Sequence, residues 1–240
     1  MESGFFRLHP NDDGSLDSEL CASVEHSRTD MRLNDGRCDR QGRFWAGSMV
    51  LNMGANADAG QMYRFEAGQR SPVEAQLSGF IVPNGLGFSP DGRTMYLSDS
   101  HPLVQQIWAF DYDIDSGTPS NRRLLVDMMP LPGRPDGAAV DADGCYWICA
   151  NDAGLIHRFT PDGRLDCSLQ VPVKNRPCVP LAAVASTPSS SPRSAPVTTT
   201  TRSPWPVACS PSHPASRAWL NLLSEDGSTP RTDLLHRFTG

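Results

Sequence analysis

A motif that recurs about every 50 residues constrains this sequence more than any other feature. Each copy ends in a turn glycine, and the copies stand 50 and then 52 residues apart: Gly42, Gly92 and Gly144. Eight residues before each glycine lies a polar side chain, respectively Asn34, Asn84 and Asp136. Short strands joined by Asp-Gly turns at this period are typical of a β-propeller, in which each repeat forms one blade. We therefore expect the three polar side chains to converge near a central axis.

The stretch from 32 to 173 alternates short strand-like segments with clusters of Gly, Pro, Asp and Asn. No part of it shows a sustained helical period. Residues 1–31 resemble the end of a blade followed by a loop. The sequence therefore predicts an all-β fold, with strands at 43–49, 61–66, 78–82, 94–99, 106–113, 122–127, 145–150, 154–160 and 166–171.

The character of the sequence changes after Pro177. Residues 186–216 are crowded with Ser, Thr and Pro, which is typical of a low-complexity segment without a packed core. We expect two regions: 1–177, an incomplete propeller of about three and a half blades, and 178–240, an irregular, disordered tail. Read one nucleotide earlier, the codons of 198–201 permit four aspartates and those of 187–192 permit Asp-Thr-Leu-Phe-Val-Thr. We interpret the tail as a frame-shifted translation of later blades.

Bulk composition excludes several classes of protein. The formal net charge of −6 disfavours a nucleic-acid partner, which would require a basic face. No apolar run approaches the roughly 18 residues that span a bilayer, and the N-terminus lacks the pattern of a secretory leader. We therefore expect a cytoplasmic protein with neither a membrane nor a nucleic-acid partner. Oligomeric state is left open.

Seven cysteines show neither a CxxC pair nor a His/Cys cluster with zinc spacing. This pattern favours buried free thiols over a disulfide bridge or a metal site.

Taken together in order, the repeat motifs resemble the SMP-30/gluconolactonase family over residues 3–177. The residues that carry this resemblance are Arg32-Leu-Asn34-Asp-Gly with Gly42-Arg-Phe-Trp-Ala-Gly-Ser-Met49, then Pro83-Asn84-Gly85 with Ser-Pro-Asp-Gly-Arg, then Pro135-Asp136-Gly137. Members of that family are six-bladed propellers that hydrolyse sugar lactones with a divalent metal in the central channel. The resemblance implies the same fold type and a sugar lactone substrate.

The resemblance also implies roles for four residues. Asn84 and Asp136 match the positions that bind the metal, and Arg32 and Asn34 match those that contact the sugar. Carboxylate and carboxamide oxygens suit a hard cation, and we expect Ca²⁺, Zn²⁺, Mn²⁺ or Mg²⁺. Asp136 is also the candidate catalytic residue, to steer or deprotonate the attacking water. The family's third metal ligand is a Glu in a preceding blade, and Glu2 lacks the pattern around it.

Each assignment has a purely structural alternative. Asn and Asp before Gly are common turn residues, although recurrence in register favours a site here. We assign a second group of aspartates to turns: Asp39, Asp91, Asp141 and Asp143. Trp45, Trp108 and Trp147 are interpreted as blade core rather than as a sugar platform. The predicted function is metal-assisted hydrolysis of an aldonolactone such as gluconolactone; the alternative is a non-catalytic propeller fragment that serves as a metal- or ligand-binding module.

Overall fold

The computed structural model describes residues 4–171. The expectations for the tail at 178–240, and for a boundary at 177, fall outside the described residues. Within 4–171 there is one short 3₁₀ turn, Met53–Ala55, and no α-helix. The strands are β1 (Gly4–Pro10), β2 (Leu16–Ser23), β3 (Met31–Cys38), β4 (Phe44–Val50), β5 (Gly60–Phe65), β6 (Ala75–Phe80), β7 (Pro83–Phe88), β8 (Thr94–Asp99), β9 (Gln106–Asp113), β10 (Thr118–Asp127), β11 (Arg134–Val140), β12 (Tyr146–Asn151), β13 (Leu155–Phe159) and β14 (Leu165–Gln170).

These strands form four antiparallel sheets in chain order. Strands β1 and β2 make a two-stranded sheet, and each later group of four, β3–β6, β7–β10 and β11–β14, makes a four-stranded sheet with neighbours paired in sequence. Small antiparallel sheets repeated along the chain are the blades of a β-propeller. The all-β prediction is confirmed, and each predicted strand overlaps an observed one, with β8 and β9 matching at both ends.

Some predictions of local structure were wrong, and β6 lies at Ala75–Phe80 rather than at 78–82. The segment taken as a loop after β1 contains strand β2, whose first five residues are exposed and therefore show no alternation of apolar and polar side chains. Strand β10 begins at Thr118 rather than at 122, because its polar first half pairs with β9 at the edge of the sheet. Edge strands of this kind carry little hydrophobic signal.

The core consists of three layers of apolar side chains, one between each pair of successive sheets. Trp45 and Trp108 lie in the layer between β3–β6 and β7–β10. Tyr96 and Tyr146 lie in the next layer, between β7–β10 and β11–β14. The prediction that Trp45, Trp108 and Trp147 are core residues is confirmed, since they are 0%, 7% and 3% exposed. Burying side chains of this size stabilises the fold by roughly 1.5–3 kcal/mol each.

The Asp-Gly turns form as the sequence predicts. The Asp39 carboxylate accepts backbone hydrogen bonds from Gln41 and Arg43, and the Asp141 carboxylate accepts those of Asp143 and Cys145. Asp91 accepts from the backbone of Arg93 in the same way. The three turn glycines adopt left-handed φ values, 83° at Gly42, 74° at Gly92 and 82° at Gly144.

The expectation of free thiols holds for some cysteines and is wrong for others. Cys21, Cys38 and Cys145 are free, whereas Cys149 and Cys167 are disulfide-bonded. Periodicity indicates that a thiol is buried but not which sulfur atom it reaches. Among residues 4–171, no helix is long and apolar enough to cross a membrane.

Candidate active site

The three first strands, β3, β7 and β11, share an irregularity at the position of the repeat motif. The pairing register of each with its neighbour shifts between Leu33 and Gly36, between Asn84 and Gly87, and between Pro135 and Ala138. Such bulges release backbone groups from the ladder and redirect side chains. The predicted site residues Asn34, Asn84 and Asp136 therefore lie at equivalent bulges on three neighbouring strands.

Asn84 and Asp136 are brought together directly. The Asn84 Nδ2 donates a hydrogen bond of 2.8 Å to Oδ1 of Asp136, across the boundary between two sheets. Asn84 is 8% exposed and Asp136 is half-buried. The Asn84 Oδ1 accepts from the backbone N–H of Gly85 at 2.8 Å. This places two oxygen-bearing side chains from different blades at one point.

Arg32 and Asn34 form the second part of the site. The Arg32 Nη1 donates to Asn34 Oδ1 at 2.9 Å and to the carbonyl oxygen of Leu33 at 3.0 Å. In turn, Asn34 Nδ2 donates to the carbonyl oxygen of Pro83 at 3.2 Å, immediately before Asn84. The two predicted sugar-binding residues are thus held together and joined through the backbone of β7 to the two predicted metal-binding residues.

Gly85 makes this convergence sterically possible. Its φ of +60° lies in the left-handed region. A Cβ at this position would lie 2.6 Å from the hydroxyl of Tyr146, 2.7 Å from Oγ of Ser98 and 2.9 Å from the carbonyl oxygen of Asp136. The Tyr146 hydroxyl donates to the carbonyl of Gly85, and the Ser98 hydroxyl donates to the carbonyl of Asn84 at 3.0 Å. Only glycine fits where these three strands approach so closely.

Asp35 is a site neighbour that the sequence analysis missed. Its Oδ2 accepts a hydrogen bond of 3.1 Å from the backbone N–H of Leu86 on β7. Burial raises the pKa of Asp35, and the negative charge of Asp136 raises it further, against hydrogen bonds from the N–H groups of Leu86 and Gly36. The residue is visible in the sequence as the middle of Asn34-Asp35-Gly36, but its partner on β7 is not.

The donor set is compatible with a hard divalent cation. Asn84 and Asp136 offer a carboxamide and a carboxylate, which suit a Ca²⁺-like ion that prefers oxygen ligands. They supply only part of the six to eight ligands that calcium takes. Within residues 4–171, no group of three or more His, Cys, Asp and Glu side chains is placed to hold a metal. The described residues therefore fit a cation whose remaining ligands are water, substrate or groups elsewhere.

An open cleft of about 500 Å³ reaches Asn34 from the side of β1. Its walls are mainly aromatic and aliphatic, including Phe5, Leu33, Phe44 and Phe65. Besides Asn34, the cleft offers few side chains that could hydrogen-bond the hydroxyl groups of a sugar. Arg32, Asn34 and Asp136 offer more hydrogen-bonding groups and are the better candidates to contact a sugar.

Comparison with known proteins identifies relatives of this chain. The chain is 38% identical over 178 residues to 6-deoxy-6-sulfogluconolactonase of Pseudomonas putida, covering 72% of this chain and 57% of that protein. It is 35% identical over 150 residues to L-arabinolactonase of Azospirillum brasilense, covering 62% and 49% respectively. A calcium-binding protein, regucalcin, from Agrobacterium tumefaciens has a similar structure, with a TM-score of 0.63, 29% identity and coverage of 72% and 57%.

The chain thus spans about half the length of the curated relatives it matches. The family model described as SMP-30/Gluconolactonase/LRE-like region matches residues 1–185. That match covers more than half of the 240 residues and includes all three repeat motifs. The chain belongs to the SMP-30/gluconolactonase family.

Proposed function

We propose that this chain carries the site of a sugar lactone hydrolase that acts on an aldonolactone with the help of a divalent cation. The observation that supports this most strongly is the 2.8 Å contact between Asn84 and Asp136, with the Arg32–Asn34 pair joined to it through Pro83. Two relatives are named as lactonases of different aldonic acids, which favours this substrate class without selecting one sugar.

Arg32 and Asn34 bind and orient the substrate in this proposal. Arg32 uses Nη1 for its contacts with Leu33 and Asn34, and its guanidinium has further N–H donors. These donors suit the carbonyl oxygen or the ring hydroxyls of a lactone. Because Asn34 already holds Nη1, the guanidinium loses less conformational freedom when the substrate binds.

Asp136 provides the carboxylate that acts as the general base for the attacking water. The water oxygen bonds to the lactone carbonyl carbon while Asp136 accepts a proton from it. The ring carbon–oxygen bond then breaks, and the leaving ring oxygen takes up that proton to give the open hydroxy acid. Arg32 donates to the negative charge that develops on the carbonyl oxygen.

Asn84 and Asp136 are also the residues that would hold the cation. When bound, such an ion acts as a Lewis acid on a carbonyl oxygen. A calcium-binding relative favours Ca²⁺, and Zn²⁺, Mn²⁺ and Mg²⁺ remain in the proposal. The amide oxygen of Asn84 and the carboxylate of Asp136 would be the ion's oxygen ligands from this chain.

The test is lactone hydrolysis by the full chain, followed as acid release from glucono-δ-lactone and arabinonolactone above the spontaneous rate. We expect chelator to remove activity, and Ca²⁺, Mn²⁺ or Zn²⁺ to restore it. Asp136→Ala should abolish it, while Asp12→Ala, in the exposed turn between β1 and β2, should not change it. Activity that survives in Asp136→Ala would contradict the role of this carboxylate.

A second function, a metal- or ligand-binding module without catalysis, is favoured by one observation. The described residues bring only one carboxylate and one carboxamide together at the Asn84–Asp136 contact, and no larger acidic cluster. Cation binding by the wild-type chain without acceleration of hydrolysis for either lactone would support this function instead.

A further inference from the structure

The bulge in β7 leaves the backbone N–H of Leu86 without a place in the ladder. Strand β7 pairs with β8 at Asn84 and again at Gly87, and the two residues between them are skipped. Leu86 is 1% exposed, so water does not satisfy this N–H. A buried amide without a partner is costly, and here the partner is the Asp35 carboxylate of β3, at 3.1 Å.

The same bulge sets the orientation of the Asn84 side chain. Gly85 and Leu86 follow Asn84 directly, so their backbone conformation fixes the direction in which the Asn84 side chain leaves the strand. Three other contacts hold the bulge, from the hydroxyls of Ser98 and Tyr146 and from the side chain of Asn84 itself. All three act on Asn84 or Gly85, and Asp35 holds the far end of the bulge at Leu86.

Asp35 belongs to a pair of charged side chains that reach both neighbouring first strands. Two residues further along β3, Arg37 donates from Nη2 to the carbonyl oxygen of Ala138 on β11, at 2.5 Å. Asp35 therefore contacts the bulge that carries Asn84, and Arg37 contacts the strand that carries Asp136. A half-buried carboxylate costs solvation free energy, which is offset when it satisfies a buried donor.

We propose that Asp35 is a positioning residue, whose carboxylate oxygen fixes the β7 bulge through Leu86 and so directs Asn84 toward Asp136. The acceptor oxygen of Asp35, rather than its negative charge, holds the bulge. The functional importance of this contact rests on the proposed function. The contact itself can be tested in the chain without metal or substrate.

The test compares Asp35→Asn, which keeps an acceptor oxygen of the same reach, with Asp35→Ala, which removes it. In ¹⁵N-labelled full chain without added metal, the side-chain amide of Asn84 and the backbone amide of Leu86 report the geometry. We expect both signals to stay near their wild-type positions in Asp35→Asn. In Asp35→Ala we expect the Leu86 amide to lose protection from hydrogen exchange and the Asn84 amide signal to shift.

Calorimetric titration with Ca²⁺ and Mn²⁺ adds a functional readout. Loss of a residue that orients a ligand weakens metal affinity by about 10- to 100-fold, which we expect for Asp35→Ala, with Asp35→Asn within about twofold of wild type. Asp91→Ala, in a turn of the same sheet as Asn84, is the control and should match wild type. If wild type binds cations but hydrolyses no lactone, the proposed function fails while the affinity series still tests Asp35.

Two results would overturn the positioning role. One is an Asn84 side-chain amide signal in Asp35→Ala that coincides with that of wild type. The other is damage by Asp35→Asn equal to that by Asp35→Ala, since charge rather than the acceptor would then matter. Should the alanine variant fail to fold, Asp35→Asn decides alone: a wild-type Asn84 signal supports the proposal, and its loss contradicts it.

Discussion

The two ends of each repeat motif, the turn and the bulge, use the same polar residue types for different contacts. At the turn end, carboxylates such as Asp91 and Asp141 accept hydrogen bonds from backbone groups two to four residues away. At the bulge end, Asn34, Asn84 and Asp136 make contacts with other strands, across 49 and 52 positions of sequence. The Asp91 carboxylate is satisfied within its own loop, and the further partners of Asp141, Trp147 and Arg158, lie in the same sheet. The polar side chains at the bulges join separate blades instead.

This difference explains where chemistry is possible. A turn carboxylate whose lone pairs face its own backbone stabilises the loop and has little capacity left for a ligand. A bulge carboxylate such as Asp136 meets a side chain from another blade, and their contact leaves further lone pairs on both groups. The bulge ends are therefore the candidate active site, and the turn ends are structural.

Among the turn aspartates Asp39, Asp91 and Asp141, Asp39 is the one that contacts another sheet, and it gives the largest expected loss of stability. Besides its own turn, its Oδ2 accepts from the Arg43 Nε at 2.6 Å and from the hydroxyl of Tyr112 on the next sheet at 2.7 Å. Burial alone would raise the pKa of Asp39, but the hydrogen bonds from Tyr112 and Arg43 outweigh it and lower the pKa.

Asp39→Ala leaves the guanidinium of Arg43 buried without its partner carboxylate, which costs about 3–5 kcal/mol for a pair of this kind. Asp91→Ala removes an exposed turn acceptor and should cost less than about 1 kcal/mol. Urea unfolding at pH 7 measures both. Similar losses in the two variants would mean that the contact between sheets adds nothing.

Glycine substitutions test the comparison next. Gly85→Ala forces a side chain into the left-handed region and against Tyr146, Ser98 and Asp136, so we expect a loss of about 3 kcal/mol. Gly42→Ala is equally left-handed, but no atom lies within 4 Å of its Cβ, so about 1 kcal/mol is expected. Equal unfolding midpoints for the two variants would refute the crowding at Gly85.

The sequence predicted the turn ends better than the bulge ends for a physical reason. Contacts such as those of Asp91 with Ser89 and Arg93 span two residues, and residue preference is enough to identify them. The convergence of Asn34, Asn84 and Asp136 was predictable from the period of the repeat. The contact of Asp35 with Leu86 was not, because its donor is a backbone group on another strand and leaves no mark in the sequence.

A histidine outside the site gives the smallest predicted effect. His157 is buried, with Nε2 near the carbonyl oxygen of Pro132 at 3.0 Å and Nδ1 near Oγ of Ser168 at 2.7 Å. Burial lowers the pKa of His157 below its ordinary value of 6.5, despite the hydrogen bond to Pro132. The folded state therefore favours the neutral ring, and the stabilisation is complete above pH 6.5 and is lost as the pH falls through the lowered pKa.

We expect urea midpoints of the wild-type chain to fall between pH 7 and pH 5, with a shallower decline in His157→Gln. The turn variant Asp91→Ala, which retains His157, serves as the control and should keep the wild-type slope. Parallel pH profiles for wild type and His157→Gln would contradict the assignment of this titration.

The central claim is that Asn84 and Asp136 form the cation-binding half of the site, while Arg32 and Asn34 form the substrate-binding half. The most direct measurement is calorimetric titration of Ca²⁺, Mn²⁺ and Zn²⁺ into wild type, Asp136→Ala and Asn34→Ala. Because Asp136 supplies the only carboxylate of the pair, its removal should abolish binding, whereas Asn34→Ala should leave cation affinity nearly intact and weaken binding of the lactone. Equal loss of cation binding in both variants would contradict this division of the site.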